Sequence, residues 1–176
     1  KWTHQFQFAG YYAAKEKGFY EEAGFDVTLV AGSPALDPVK EVLAGRAQFA
    51  QDNSEVLLSR LRGEPLVAIA AIFQHSPSVI VTLADSNIDE PGKLTGRRMM
   101  SVDGESDVSL LAMFKQQNVK FGEVSIVSSS YQIDDLVDGK TDALNAYLTN
   151  EPFFLEERGV DFNIINPRDY GIDFYS

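Results

Sequence analysis

The stretch that decides the fold class is EVSIVSSSYQIDDLVDGKTDALNAY, residues 123–147. Its two ends, EVSIVSS and TDALNAY, are short apolar-rich runs that predict strands. Between them, QIDDLVDG predicts a helix that ends at Gly139. A strand, a helix and a second strand in close succession are typical of the units that build mostly parallel sheets.

The same alternation continues on both sides of this stretch. RRMMSV predicts a strand and is followed by a helix from Asp107 to Gln117, while a helix from Glu151 to Arg158 precedes the strand FNIIN. The first third of the chain shows it again. There the predicted helices are 8–17, 20–23, 38–45 and 54–63, and the predicted strands are FDVTLVA, AQFAQ and PLVAIAAIFQ, the last an apolar run typical of a strand buried on both faces.

The alternation predicts an α/β fold of two lobes in series. Each lobe is a mostly parallel sheet flanked by helices, and the ligand cleft lies between the lobes. We assign residues 1–82 to the first lobe, 83–166 to the second lobe and 167–176 to a second crossing between them.

Composition excludes several classes of function. The 176-residue chain has 26 acidic against 15 basic residues, a net charge of −11, which opposes binding to DNA, RNA or anionic membranes. It has no cysteine, so thiolate metal sites, cysteine nucleophiles and disulfides are excluded. No signal peptide and no apolar stretch of ~18 residues are present, so an export signal would lie outside this sequence.

Aromatic, amide, hydroxyl and carboxylate side chains follow the predicted strands, where parallel sheets bind their ligands. Few of these positions carry a cation. The candidate ligand-binding residues are Trp2, His4, Gln5, Asp52, Asn53, Gln74, His75, Ser101, Asp103, Ser106, Tyr131, Tyr147, Asn150 and Glu151.

Several candidates also have a purely structural interpretation. Trp2 either stacks a flat heterocycle or packs on a lobe surface. Glu151 either stabilises a helix N-terminus or accepts two N–H bonds from an aminopyrimidine. The acids of SVDGESDVS, residues 101–109, either cap a helix or join a hydrogen-bonding wall of Ser101, Asp103 and Ser106, and they would repel a phosphate or sulfonate.

The two histidines, His4 and His75, both fall on candidate cleft loops. Neither belongs to a metal-binding spacing such as H-x-x-H or H-E-x-x-H, so neutral hydrogen bonding is the favoured role. We therefore predict no metal and no cofactor.

Three segments carry a resemblance to a known family: WTHQFQFAGYYAAKEKGFYEEAGFDVTLVAG at 2–32, DALNAYLTNEPFFLEE at 142–157 and PRDYGIDFY at 167–175. The chain resembles periplasmic solute-binding proteins of the thiamine-pyrimidine-precursor binding and synthesis type, relatives of the nitrate-, sulfonate- and taurine-binding proteins. The resemblance implies a first strand that begins before Trp2 and return helices after Ser176.

The resemblance implies an extracytoplasmic, periplasmic-type protein that captures a small planar heterocycle for ABC-type uptake through a membrane permease. An aminopyrimidine thiamine precursor is the preferred ligand, and no enzymatic activity is expected. The alternative is a ligand-sensing domain linked covalently to a membrane-bound histidine kinase or cyclic-dinucleotide enzyme.

A third, less favoured interpretation is a pyrimidine-precursor synthase. That branch of the family consumes an active-site histidine with pyridoxal phosphate and iron. The corresponding position, two residues before Gly10, is Phe8, and the cysteine-rich segment is absent.

Overall fold

The structure is a computed structural model and describes residues 4–33, 35–101, 107–130 and 132–175. Contacts divide the chain into two compact units. The first unit comprises Lys1–Asp52 and Arg62–Leu66, and the second comprises Asn53–Leu61 and Val67–Ser176. The lobe boundaries expected from the sequence remain a prediction.

The first unit is built from short helices. A turn of 3-10 helix at Phe6–Phe8 leads into α1 (Ala9–Glu16), which is followed by α2 (Phe19–Glu22) and α3 (Pro38–Leu43). Each lies where the sequence predicts a helix.

Local signals explain where the helices of the first unit begin and end. Gly18 separates α1 from α2 in the left-handed region, at φ +73°, which glycine adopts without steric cost. Asp37 caps α3, because its Oδ1 accepts a hydrogen bond from the Lys40 N–H at 3.1 Å, and Pro38 occupies the first helical position.

The second unit contains a five-stranded sheet. Its strands are β1 (Ser78–Leu83), β2 (Arg98–Ser101), β3 (Ser125–Ser128), β4 (Ala143–Tyr147) and β5 (Phe162–Ile165), in the order β3-β2-β4-β1-β5. Strand β2 pairs in parallel with β3 and β4, and β1 pairs antiparallel with β4 and β5. The α/β class is confirmed, and the sheet is mixed because β1 runs against its neighbours.

Helices surround this sheet. They are α5 (Val108–Gln116), α6 (Asp134–Val137) and α7 (Glu151–Glu157), with 3-10 turns at Ala84–Ser86, Pro91–Leu94, Phe121–Glu123 and Pro167–Tyr170. The second unit also contains α4 (Val56–Leu61). The helices predicted from the sequence in this region are confirmed, as are the strands β2 to β5.

Two apolar cores lie on opposite faces of the sheet, because successive strand residues point to opposite sides. Ile80 belongs to one core and its neighbours Val79 and Val81 belong to the other. The first core includes Leu110, Met113 and Phe114 of α5, and the second includes Leu136 of α6 and Leu155 of α7. The second unit is therefore a three-layer α/β/α arrangement.

Three strand predictions are wrong. FDVTLVA, AQFAQ and PLVAIAAIFQ carry no strand in the structure, and Val67 and Ile69 are 84% and 74% exposed rather than buried. A strand needs a neighbour that completes its hydrogen-bond ladder, and the described strands lie in β1 to β5. Strand β1 was not predicted from the sequence, and the predicted boundary between the lobes, after residue 82, falls within it.

Within the described residues, no helix combines the length and hydropathy that a membrane span requires.

Candidate functional site

The candidate site lies at one edge of the sheet in the second unit. The parallel strands β2 and β4 end there, at Ser101 and Tyr147. Strand β1 runs the other way, so its first residue, Ser78, pairs with Tyr147 at the same edge. Helices α5 and α7 begin close to the ends of β2 and β4, which is the usual ligand position in open α/β sheets.

A shallow cavity of about 10 Å³, open to solvent, lies at this edge. Its walls come from the segment just before α4, from the start of β1, from the start of α5 and from the end of β4. The lining residues are Asn53, Ser54, Glu55, Ser76, Ser78, Asp107, Ser109 and Tyr147. None of these described lining residues carries a positive charge.

A chain of polar side chains crosses the sheet beneath the cavity. The Ser78 hydroxyl donates to Asp107 Oδ2 at 2.6 Å and accepts from Asn145 Nδ2 at 3.0 Å. The Ser101 hydroxyl donates to Asn145 Oδ1 at 3.4 Å. Side chains of β1, β2 and β4 therefore hold the orientation of the Asp107 carboxylate.

Asp107 is also the N-cap of α5. Its Oδ1 accepts from the backbone N–H groups of Ser109 and Leu110, each at 3.0 Å. The side chain is only 6% exposed. The capping interpretation of the acids in 101–109 is thus confirmed for Asp107, and the carboxylate lines the cavity as well.

Tyr147 and its neighbours form a second polar group. The Tyr147 hydroxyl donates to Asn53 Oδ1 at 3.3 Å, joining the end of β4 to the segment before α4. Glu151 accepts from the Tyr147 N–H at 2.7 Å and from Asn150 Nδ2 at 2.9 Å. Both oxygens of Glu151 therefore stabilise the turn into α7.

The remaining described candidates make local contacts. His75 Nδ1 lies 2.8 Å from Asp173 Oδ2, and Gln74 donates to the Ala71 carbonyl. In the first unit, His4 bonds the Tyr12 hydroxyl and Gln5 accepts from Gln7.

The other predicted candidates lie at the cavity, near its edge, in the first unit or outside the described residues. Asn53 and Tyr147 line the cavity, and Asn150, Glu151 and Ser101 contact residues near its edge. Asp52 is partly buried in the first unit. Trp2, Asp103, Ser106 and Tyr131 lie outside the described residues.

Most of the hydroxyl-bearing residues of the site were not among the candidates predicted from the sequence. Ser76 and Ser78 lie before a strand rather than after one, and only the reversed direction of β1 brings them to this edge. Asn145 lies inside β4, where an alternating strand offers no sign of a polar role. In the described parts of the chain, no group of three metal-ligating side chains is present.

Comparison with known proteins identifies the family of this chain. The sequence profile described as NMT1/THI5 like matches residues 5–176. The chain belongs to this family. The NMT1/THI5-like assignment agrees with the resemblance found in the sequence, and the match covers both contact units.

Two curated relatives are binding proteins by name. The formylaminopyrimidine-binding protein of Halalkalibacterium halodurans is 26% identical over 169 residues, covering 93% of this chain and 51% of the relative. The riboflavin-binding protein RibY of Chloroflexus aurantiacus is 28% identical over 177 residues, covering 93% of this chain and 48% of the relative. The chain spans about half the length of these curated relatives.

Solved structures show the same fold. The periplasmic aliphatic sulphonate-binding protein SsuA of Escherichia coli superimposes with a TM-score of 0.67 at 15% identity, over 89% of this chain and 53% of that one. The likeness shows that this NMT1/THI5-like chain has the α/β fold of periplasmic binding proteins.

Proposed function

We propose that this chain binds a small, flat heterocycle rich in N–H donors, with an aminopyrimidine thiamine precursor as the preferred ligand. The observation that carries the proposal is the cavity at the sheet edge, lined by hydroxyl, amide and carboxylate groups and by the Tyr147 ring. In the described lining there is no lysine, arginine or histidine.

The lining matches the hydrogen-bonding edge of an aminopyrimidine. Its exocyclic amine donates hydrogen bonds and its ring nitrogens accept them. Carboxylate acceptors such as Asp107 and Glu55 form the stronger, charge-assisted bonds with the amine, and the lining hydroxyls can donate to the ring nitrogens. An aromatic ring beside such acceptors offers a face for stacking. The name of the Halalkalibacterium halodurans relative supports this choice, and that of RibY supports the wider class of flat heterocycles.

The biological role that follows is capture for uptake. We propose that the chain works outside the cytoplasm, delivers its ligand to the permease of an ABC transporter and performs no chemical conversion. The names of the relatives and the fold shared with a periplasmic sulphonate-binding protein support this role.

The test is a calorimetric titration of the full chain with a formylaminopyrimidine, riboflavin, ethanesulfonate and nitrate. We expect heat from the formylaminopyrimidine and none from the two anions. A ligand at a hundred times its dissociation constant should add roughly 2.7 kcal/mol of stability, which a thermal-unfolding scan would register as a shift of several degrees.

Two variants test whether the ligand binds in the cavity. Tyr147→Ala should weaken pyrimidine binding about tenfold because the stacking face is lost, whereas Tyr175→Ala, at an exposed tyrosine, should leave it unchanged. Ser78→Ala should also weaken binding, with the exposed Ser125→Ala as its control. Tight ethanesulfonate binding without pyrimidine binding, or pyrimidine binding indifferent to both cavity variants, would refute the proposal.

A further inference from the structure

The wall of the cavity contains the N-terminus of α5, a place where proteins often hold anions. The N–H groups of a first helical turn have no partners within the helix, and the helix dipole adds positive potential there. Here Asp107 Oδ1 accepts from the N–H groups of Ser109 and Leu110 at 3.0 Å each. The chain's own carboxylate therefore occupies the position that a bound oxyanion would take.

A contact from a different strand fixes the second oxygen of the same carboxylate. Ser78 at the start of β1 donates its hydroxyl to Asp107 Oδ2 at 2.6 Å, and Asn145 of β4 donates to Ser78 in turn. With 6% exposure, the carboxylate has little water to screen it. The arrangement is more than a helix cap, because two strands of the sheet hold the charge at the cavity wall.

The charge of the other lining residues also disfavours anions in the cavity. Glu55 is a second carboxylate among the lining residues, and the other described ones are neutral. A sulfonate, sulfate or nitrate in the cavity would meet like charge and would find the α5 N–H groups already bonded. A ligand with N–H donors or a positive charge would meet acceptors instead.

From this geometry we infer that Asp107 is the residue that determines charge selectivity in the cavity. It acts as a built-in anion that excludes oxyanions and admits N–H donors and cations. The inference rests on the proposed function in that it takes this cavity to be the ligand site. It goes beyond that function by assigning the rejection of oxyanions to one side chain.

The test replaces Asp107 in the full chain and probes it with ethanesulfonate and sulfate, against chloride at matched ionic strength. Asp107→Gly vacates the position, and glycine is tolerated at N-caps. Asp107→Asn keeps the position filled but removes the charge. Asp37→Gly is the matched control, because Asp37 caps α3 in the first unit.

We expect no measurable ethanesulfonate binding by the wild type in calorimetric titrations. Asp107→Gly should gain at least about tenfold in affinity, because the like charge is removed and the α5 N–H groups are freed. Asp107→Asn, which loses only the charge, should gain several-fold. Asp37→Gly should behave as the wild type. Circular dichroism checks that each variant is folded.

Three results would overturn the inference: wild-type binding of ethanesulfonate as tight as that of Asp107→Gly, a folded Asp107→Gly with no gain, or an equal gain in Asp37→Gly. If Asp107→Gly does not fold, an unchanged oxyanion affinity of Asp107→Asn would overturn the inference instead. The wild-type titration with formylaminopyrimidine reports on the proposed function separately. A gain of oxyanion binding in Asp107→Gly without pyrimidine binding in the wild type would keep this inference and reject that function.

Discussion

The buried apolar core lies in the second contact unit, which also exposes some large apolar side chains. In the second unit, strand and helix residues such as Ile80 and Phe114 are 0% and 1% exposed. In the first unit, Phe25, Val30 and Phe49 are 59%, 79% and 70% exposed, and the described hydrophobic residues of the buried core all belong to the second unit. The sequence shows the same helix and strand alternation in both, so alternation alone does not determine burial.

Pairing between strands makes the difference. SVIVTL at 78–83 and PLVAIAAIFQ at 65–74 are both rich in apolar residues, and residues 67–74 belong to the same unit as β1. Of the two, SVIVTL has strand neighbours, in β4 and β5. An apolar run becomes a buried strand when other strands complete its ladder and helices cover its faces. Hydrophobicity identifies a candidate strand, and the partners decide whether it forms.

The largest effect expected from this contrast is on the stability of the two units. Phe114→Ala, which empties a core position beneath α5, should lower the free energy of unfolding by about 3–5 kcal/mol. Phe49→Ala, at an exposed position, should change it by no more than about 0.5 kcal/mol. Urea unfolding followed by circular dichroism measures both. Equal losses would contradict the burial contrast.

A smaller difference is expected between the two helix caps. Asp107→Ala should cost about 2 kcal/mol, because it strips a buried hydroxyl and two N–H groups of their acceptor. Asp37→Ala should cost about 1 kcal/mol or less, because the Lys40 N–H that it caps is exposed to water. The same urea unfolding experiment gives both values, and a larger loss for Asp37→Ala would reverse the expected order.

The smallest effect concerns one ion pair in each unit. Hydrogen bonding to the Arg98 side chain lowers the pKa of the Asp142 carboxyl below its ordinary value of 3.8, and hydrogen bonding to Arg46 lowers the pKa of Glu41 below 4.5. A lowered pKa in the folded protein adds stability above the ordinary pKa, and this stability is lost as the pH falls below it.

The experiment compares acid unfolding of Asp142→Asn and Glu41→Gln with the wild type. Between about pH 5 and pH 3 the wild type should lose more stability than Asp142→Asn, which has no such carboxyl to protonate. Glu41→Gln should follow the wild-type curve more closely, because its partner Arg46 is 61% exposed against 44% for Arg98, and because Asp142 also accepts from the Arg98 backbone N–H at 2.8 Å. An Asp142→Asn curve parallel to the wild type would show that the pair is neutral to folding.

Much of the second unit could be predicted from its sequence. The helices α5 to α7 and the strands β2 to β5 follow from apolar periodicity, caps and glycine stops, and the N-cap role of an acid after β2 was recognisable in SVDGESDVS. The direction of β1 could not be predicted, because an apolar run has the same pattern whichever way it runs. For the same reason, the contributions of Ser76 and Ser78 to the site were not predicted.

The site candidates show the same limit. Tyr147 and Asn53 were named from strand ends and helix caps, and the structure joins them by a hydrogen bond of 3.3 Å. Glu151 was named for its carboxylate, but its oxygens bond the adjacent turn, a contact that depends on backbone geometry rather than residue type. Residue type indicates which chemistry is available, and the tertiary structure decides where it is used.

The most direct test of the central claim is amide hydrogen exchange of the full chain with and without a saturating formylaminopyrimidine. The account predicts that the ligand slows exchange at the cavity wall, in residues 53–56, 76–79 and 107–110, and leaves residues at the opposite edge, such as 96–98, unchanged. Protection confined to segments away from the cavity, despite measurable binding, would contradict the account and place the ligand elsewhere.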